Sequence, residues 1–118
     1  LFESNYSAYL ASKKNIDDKR ATFRWASLEN IRNLRLRFDH VICNPPFHSG
    51  RRKDVALLKS FIFYSSRLID LRGSVWMVFV SGVYLENELK DHFDNIKILY
   101  KDKHYFVCQL LKPIIKEV

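Results

Sequence analysis

Apolar positions follow two rhythms along the chain. Val41-Ile42-Cys43 and Ser74-Val75-Trp76-Met77-Val78-Phe79-Val80 are nearly unbroken apolar runs, the pattern of strands covered on both faces. Between them Leu58, Phe61, Ile62, Ser65, Leu68 and Ile69 recur at three- and four-residue spacing, which predicts an amphipathic helix over 54–70. Arg72-Gly73 should end that helix, with Gly73 in the left-handed position that follows a helix C-terminus. A second amphipathic helix is predicted over 85–93 through Leu85, Leu89 and Phe93.

The flanks are read in the same way. Leu1-Phe2-Glu3 has the look of a strand end, and Asn5 or Ser4 is suited to cap a helix over 6–14. A polar connection at 15–20 leads to a half-buried strand over 21–26, where small or polar residues alternate with Phe23 and Trp25. Residues 28–37 are basic and irregular, with room for one helical turn. At the other end, apolar runs at 96–100 and 105–111 are joined by Lys101-Asp102-Lys103-His104. So short a connection forces an antiparallel hairpin. No role is assigned to 113–118.

Composition narrows the class. At 118 residues, 47% hydrophobic and 14% aromatic, the chain is a folded α/β piece of at most one domain. No apolar run approaches the ~20 residues needed to span a bilayer, and the start does not read as a signal peptide. The sequence does not begin with Met, so a fragment or processed piece is expected. Cys43 and Cys108 sit in apolar strand-like runs, which suits two buried thiols in a reducing cytoplasm rather than a disulfide. Twenty basic against thirteen acidic residues leave a net charge of +7. That suits a polyanionic partner, although the abundance of Lys, Ile, Asn, Tyr and Phe also fits an AT-rich genome. No second His, Cys or carboxylate stands at ligand spacing from His48, so no metal site is expected.

The chemistry concentrates at Asn44-Pro45-Pro46-Phe47-His48-Ser49-Gly50. Two prolines cannot donate to a ladder, so the strand must stop at Asn44. A polar amide is thereby placed at the carboxyl end of a strand, where open α/β sheets bind ligands. An exocyclic amino group on a base is a poor nucleophile because its lone pair is delocalised into the ring. A site that alkylates it should place acceptors on its two hydrogens. The side-chain oxygen of Asn44 and the backbone carbonyl of Pro45 are such acceptors. Phe47 offers a face on which a base can stack, worth roughly 1–3 kcal/mol. His48 either orients the substrate or packs in the turn. Arg51-Arg52-Lys53 either grips phosphate oxygens or is a solvated helix start, where cations are mildly unfavourable.

Asn44-Pro45-Pro46-Phe47 resembles the (D/N/S)PP(Y/F) motif of class I, S-adenosylmethionine-dependent amino-methyltransferases. His48, Ser49 and Gly50 make it similar to the ribosomal RNA guanine-N2 methyltransferases in particular. The resemblance implies a Rossmann-like sheet of order 3-2-1-4-5-7-6, with parallel strands and a C-terminal antiparallel hairpin. It implies methylation of the N2 amino group of a guanine in small-subunit (16S) ribosomal RNA by a cytoplasmic enzyme whose partner is that RNA or the small subunit. Asn44 and Pro45 would be catalytic, and Phe47, His48, Arg51 and Arg52 would bind substrate. Glu3, closing the second strand, would hold the cofactor ribose. Ser27 falls near the adenine-contacting position, where Leu28 departs from the family's acidic or amide residue and Glu29 or Asn30 lies a step late.

One family feature is absent. The cofactor's glycine-rich turn needs glycines for positive φ and close backbone approach, and Gly50, Gly73 and Gly82 are not so arranged. Residues 1–118 therefore read as one partial domain lacking the first strand and its loop, leaving apolar sheet edges beside a gap. The parent protein is expected to be active and the isolated piece inactive. Two alternatives remain: a non-catalytic RNA-binding relic, or an amino-methyltransferase acting on adenine N6 or glutamine.

Overall fold

A computed structural model of the chain describes all residues except 32, 33, 47, 50, 51, 82–84 and 116–118; the side chains of 48, 49, 52 and 53 also lie outside the description. The chain forms two compact units, Leu1–Arg35 and Leu36–Val118.

The first unit contains β1 (Phe2–Glu3), α1 (Tyr6–Asn15), β2 (Arg24–Trp25) and α2 (Leu28–Ile31). Asn5 is the cap of α1, its side-chain oxygen accepting from the Ala8 amide at 3.0 Å. Lys13 and Lys14 occupy the last turn, where cations oppose the partial negative charge of the carbonyl end. No residue of α1 is buried, so aromatic contacts rather than a core fix it. The Tyr6 ring centroid lies 4.7 Å from that of Trp25, and the Trp25 indole N–H donates to the Ser4 carbonyl at 3.0 Å. β1 and β2 pair in parallel, Glu3 beside Trp25. The strand expected over 21–26 is thus reduced to two residues.

The second unit holds β3 (Phe38–Cys43), β4 (His48–Ser49), β5 (Arg52–Lys53), α3 (Val55–Leu68), β6 (Ile69–Val80), α4 (Glu86–His92), β7 (Phe93–Lys101) and β8 (Tyr105–Pro113). Its main sheet has the order β3-β6-β8-β7. β3 and β6 are parallel, and β8 runs antiparallel to both β6 and β7. The mixed α/β architecture read from the sequence is present, with its terminal antiparallel pair. One face of this sheet is the core: Val75, Met77, Phe79, Phe106, Cys108 and Leu110 pack with Leu58 and Ile62 of α3 and Leu89 of α4. Each such large side chain contributes about 1.5–3 kcal/mol when fully buried. Asp54 caps α3, its carboxylate accepting from the Leu57 amide at 2.9 Å.

Two expectations are corrected here. Gly73 does not follow a helix end; α3 stops at Leu68 and β6 begins at once, so Gly73 lies inside a strand. Its role is close approach, because a Cβ there would lie 2.7 Å from the Asp39 carbonyl oxygen. The apolar run of β3 is buried on one face only. Val41 and Cys43 pack against the core, whereas Ile42 points to the opposite face and is 85% exposed.

Candidate functional site

β3 ends at Cys43, as a Pro-Pro pair requires, and Asn44 follows it into solvent while Pro45 is buried. The buried ring anchors the turn, and its neighbour presents a carboxamide. Asn44 is exposed, and among the described residues its side chain makes no hydrogen bond. Cys43 lies beside Met77, and β6 continues past that point to Val80. The Ser81 amide then donates to the His104 carbonyl, and its hydroxyl to the Asp102 carbonyl, both at 2.8 Å. The carboxyl ends of both parallel strands and the tip of the β7–β8 hairpin therefore share one end of the sheet.

Between Asn44 and α3 the backbone makes a small antiparallel ladder, His48 opposite Lys53 and Ser49 opposite Arg52. The basic cluster thus precedes the helix rather than occupying its first turn, which begins after the Asp54 cap. That relieves the unfavourable placement of cations at a helix N-terminus. Phe47 and Arg51 lie outside the described residues, as do the side chains of His48 and Arg52.

The two thiols near this sheet end are chemically quiet. Burial pushes Cys43 up to about 11 and Cys108 up to about 12. Both are free and protonated at neutral pH, so neither serves as a nucleophile. Among the described residues no group of three or more His, Cys, Asp or Glu side chains stands together as a metal site. No helix among them is long and apolar enough to cross a membrane.

Glu3 and Ser27 belong to the first unit and stand at the carboxyl end of the β1–β2 pair, where the Ala26 amide donates to the Glu3 carbonyl at 2.9 Å. The Glu3 side chain is half-buried and accepts from the Asn5 amide through Oε1 at 3.1 Å. Its second oxygen is the one suited to a ligand hydroxyl. Ser27 is engaged locally. Its amide and hydroxyl both donate to Oδ1 of Asn30, at 3.0 and 2.9 Å. Asn30 thus reaches back to the residue that precedes α2 and satisfies its free amide, as the third helical residue does in a capping box.

Residues 1–109 match the model of the methyltransferase small domain. Among curated proteins, the chain is similar to ribosomal RNA small subunit methyltransferase C of Pseudoalteromonas translucida, 27% identical over 79 residues, or 67% of this chain and 23% of that one. The protein of the same name from Marinomonas sp. is 27% identical over 77 residues, 65% of this chain and 22% of its own length. The chain thus spans less than a quarter of these relatives. Among solved structures, the T. thermophilus 16S rRNA N2 methyltransferase RsmC, in complex with AdoMet and guanosine, superposes with a TM-score of 0.78 at 20% identity. That match covers 94% of this chain and 30% of the other. At that identity the superposition speaks for the fold, and the family model speaks for descent: the chain belongs to the methyltransferase small domain family.

Proposed function

We propose that the chain is the acceptor-base portion of a cytoplasmic S-adenosylmethionine-dependent enzyme that methylates the N2 amino group of a guanine in small-subunit ribosomal RNA. The observation that carries this reading is the exposed Asn44 carboxamide on a turn anchored by buried Pro45, at the carboxyl end of β3. The names of the relatives support ribosomal RNA as the substrate class. The sequence His48-Ser49-Gly50 after Asn-Pro-Pro-Phe supports guanine N2 over adenine N6 or glutamine.

Asn44 Oδ1 and the Pro45 carbonyl oxygen accept the two hydrogens of the amino group. That draws the nitrogen lone pair out of conjugation with the ring and stabilises the positive charge that develops there. Phe47 stacks on the extruded base, and the basic residues Arg51 and Arg52 hold flanking phosphates, with His48 beside the base. Proximity and alignment supply most of the acceleration. When bound, S-adenosylmethionine would supply an electrophilic methyl group on a sulfonium, the C–S bond breaking as the N–C bond forms, with one proton of the amino group released to solvent. Glu3 binds the ribose end through its second oxygen, and the Ser27–Asn30 pair borders the adenine. The glycine-rich turn for the rest of that cofactor is not among the three glycines of residues 1–118, so the isolated chain should bind it poorly.

Incubation of the intact protein with methyl-labelled cofactor and separated RNA, DNA and protein fractions tests the reading. Label recovered as N2-methylguanosine in small-subunit RNA is the expected result. Label in DNA or on glutamine overturns it, and RNA affinity without any methyl transfer indicates a binding relic instead.

A further inference from the structure

We propose that the tip of the β7–β8 hairpin is a second contact surface for single-stranded RNA, receiving the nucleotides that flank the base held at Asn44. The inference rests on the methyltransferase reading for its substrate class. The surface itself is seen independently. Tyr100 and Tyr105 are 55% and 52% exposed. By register Tyr100 pairs with Val107 and Tyr105 with Val80. Both rings therefore stand on the sheet face opposite Phe106 and Cys108, away from the core. Lys97, Lys101, Lys103 and His104 are all exposed; Lys97, opposite Gln109, shares the tyrosines' face, Lys103 and His104 lie in the turn, and Lys101, opposite Phe106, flanks the tip from the other face. Aromatic faces interleaved with cations bind single-stranded nucleic acid without reading its sequence, the rings stacking on bases and the cations tracking phosphates.

The one acid in the tip does not oppose this. Asp102 accepts the amides of His104 and Tyr105, each at 2.7 Å, and the Tyr100 hydroxyl at 2.8 Å. These bonds, the Tyr105 amide foremost, hold its carboxyl below the usual range. They fix the carboxylate within the turn, where Lys101 and Lys103 outnumber it, and they lock one of the two rings in place. A preformed platform loses less on binding than a mobile one. Position completes the case. β3 and β8 are separated by β6 alone, two strand spacings or about 10 Å. β6 runs three residues beyond the partner of Cys43, about another 10 Å. The tip therefore lies within a few nucleotides of Asn44 along an extended strand.

The test is fluorescence anisotropy with an unstructured single-stranded RNA oligonucleotide and the intact protein over a range of salt. Lys97→Gln with Lys103→Gln should weaken binding and flatten the dependence of log affinity on log salt by about 1.4. Tyr105→Ala should weaken binding about tenfold at unchanged slope, with Tyr105→Phe restoring it. In methyl-transfer assays the same variants should raise KM for RNA and leave kcat in place. Wild-type affinity and slope in the lysine pair, or full affinity in Tyr105→Ala, overturns the proposal, including where the patch proves to bind an acidic protein instead. The two readings fail separately. Methyl transfer to RNA that ignores these variants removes only the hairpin surface. RNA binding that depends on them, in a protein that methylates no RNA, removes only the methyltransferase reading.

Discussion

Gly73 and the Asp39 carbonyl oxygen are in such close approach that a Cβ on Gly73 would sit 2.7 Å from that oxygen, and 3.1 Å from the Asp70 carbonyl. The strands are irregular at this point. Phe38 pairs with Ile69 and His40 with Ser74, so β6 carries extra residues opposite Asp39. Gly73→Ala must push β3 away from β6 and should cost about 1–3 kcal/mol by overpacking. Denaturant unfolding should show a lower midpoint at unchanged slope. Because β3 carries Asn44 at its other end, methyl transfer should fall as well.

The cap of α3 offers a second measurement. Asp54 bonds the Leu57 amide at 2.9 Å in a partly buried setting. Asp54→Ala leaves that amide without its partner and should cost about 1 kcal/mol, whereas Asp54→Asn or Asp54→Ser should recover most of it. The same unfolding titration reads all three.

Much of the fold could be read from the residues, and the exceptions share a cause. The spacing of Leu58, Ile62 and Ser65, the Asn5 cap and the Pro45-Pro46 stop are local signals, and the structure follows them. Gly73 was misread because a glycine after a helical run looks the same whether it terminates the helix or admits a neighbouring backbone. Only the contact with Asp39, far away in sequence, separates the two. Ile42 reads as doubly buried in a Val-Ile-Cys run, and its exposure depends on what covers the second face of the sheet, which no local pattern encodes. The Trp25–Ser4 hydrogen bond that braces the turn after Glu3 spans 21 residues and is equally invisible. At the candidate site the end of β3 just before Asn44-Pro45 was legible because proline chemistry is local. The β4–β5 ladder was not, because two-residue strands carry no periodicity.

The thiols give a pH prediction. Cys43 and Cys108 have folded values of about 11 and about 12, raised by burial above the ~8.5 of a free thiol. Keeping them neutral and buried therefore favours the folded state fully below about pH 8.5. That contribution is lost as pH rises toward the folded values. A thiol-specific chromogenic reagent at pH 7.5 should label buried Cys108 only after denaturation, and half-buried Cys43 more slowly in the native protein than in the denatured one. Rapid native labelling of Cys108 would contradict its burial.

Asp102 behaves in the opposite sense. Its carboxyl is held down by the Tyr105 amide first, then by the Tyr100 hydroxyl and the His104 amide. The order it imposes on the hairpin tip is present above the unfolded value of about 3.9 and is lost as pH falls through the lower folded value. Hydrogen exchange at the His104 and Tyr105 amides should therefore lose its extra protection at the acid end. Asp102→Asn should remove part of that protection at neutral pH.

Methyl transfer by Asn44→Ala in the intact protein, measured beside the wild type on small-subunit ribosomal RNA, is the most direct measurement of all. The geometry at the end of β3 predicts that kcat falls by about a hundredfold or more, while affinity for S-adenosylmethionine and the folded stability stay as they were. Methylation of the same guanine at the wild-type rate would contradict the role assigned to the strand-end carboxamide.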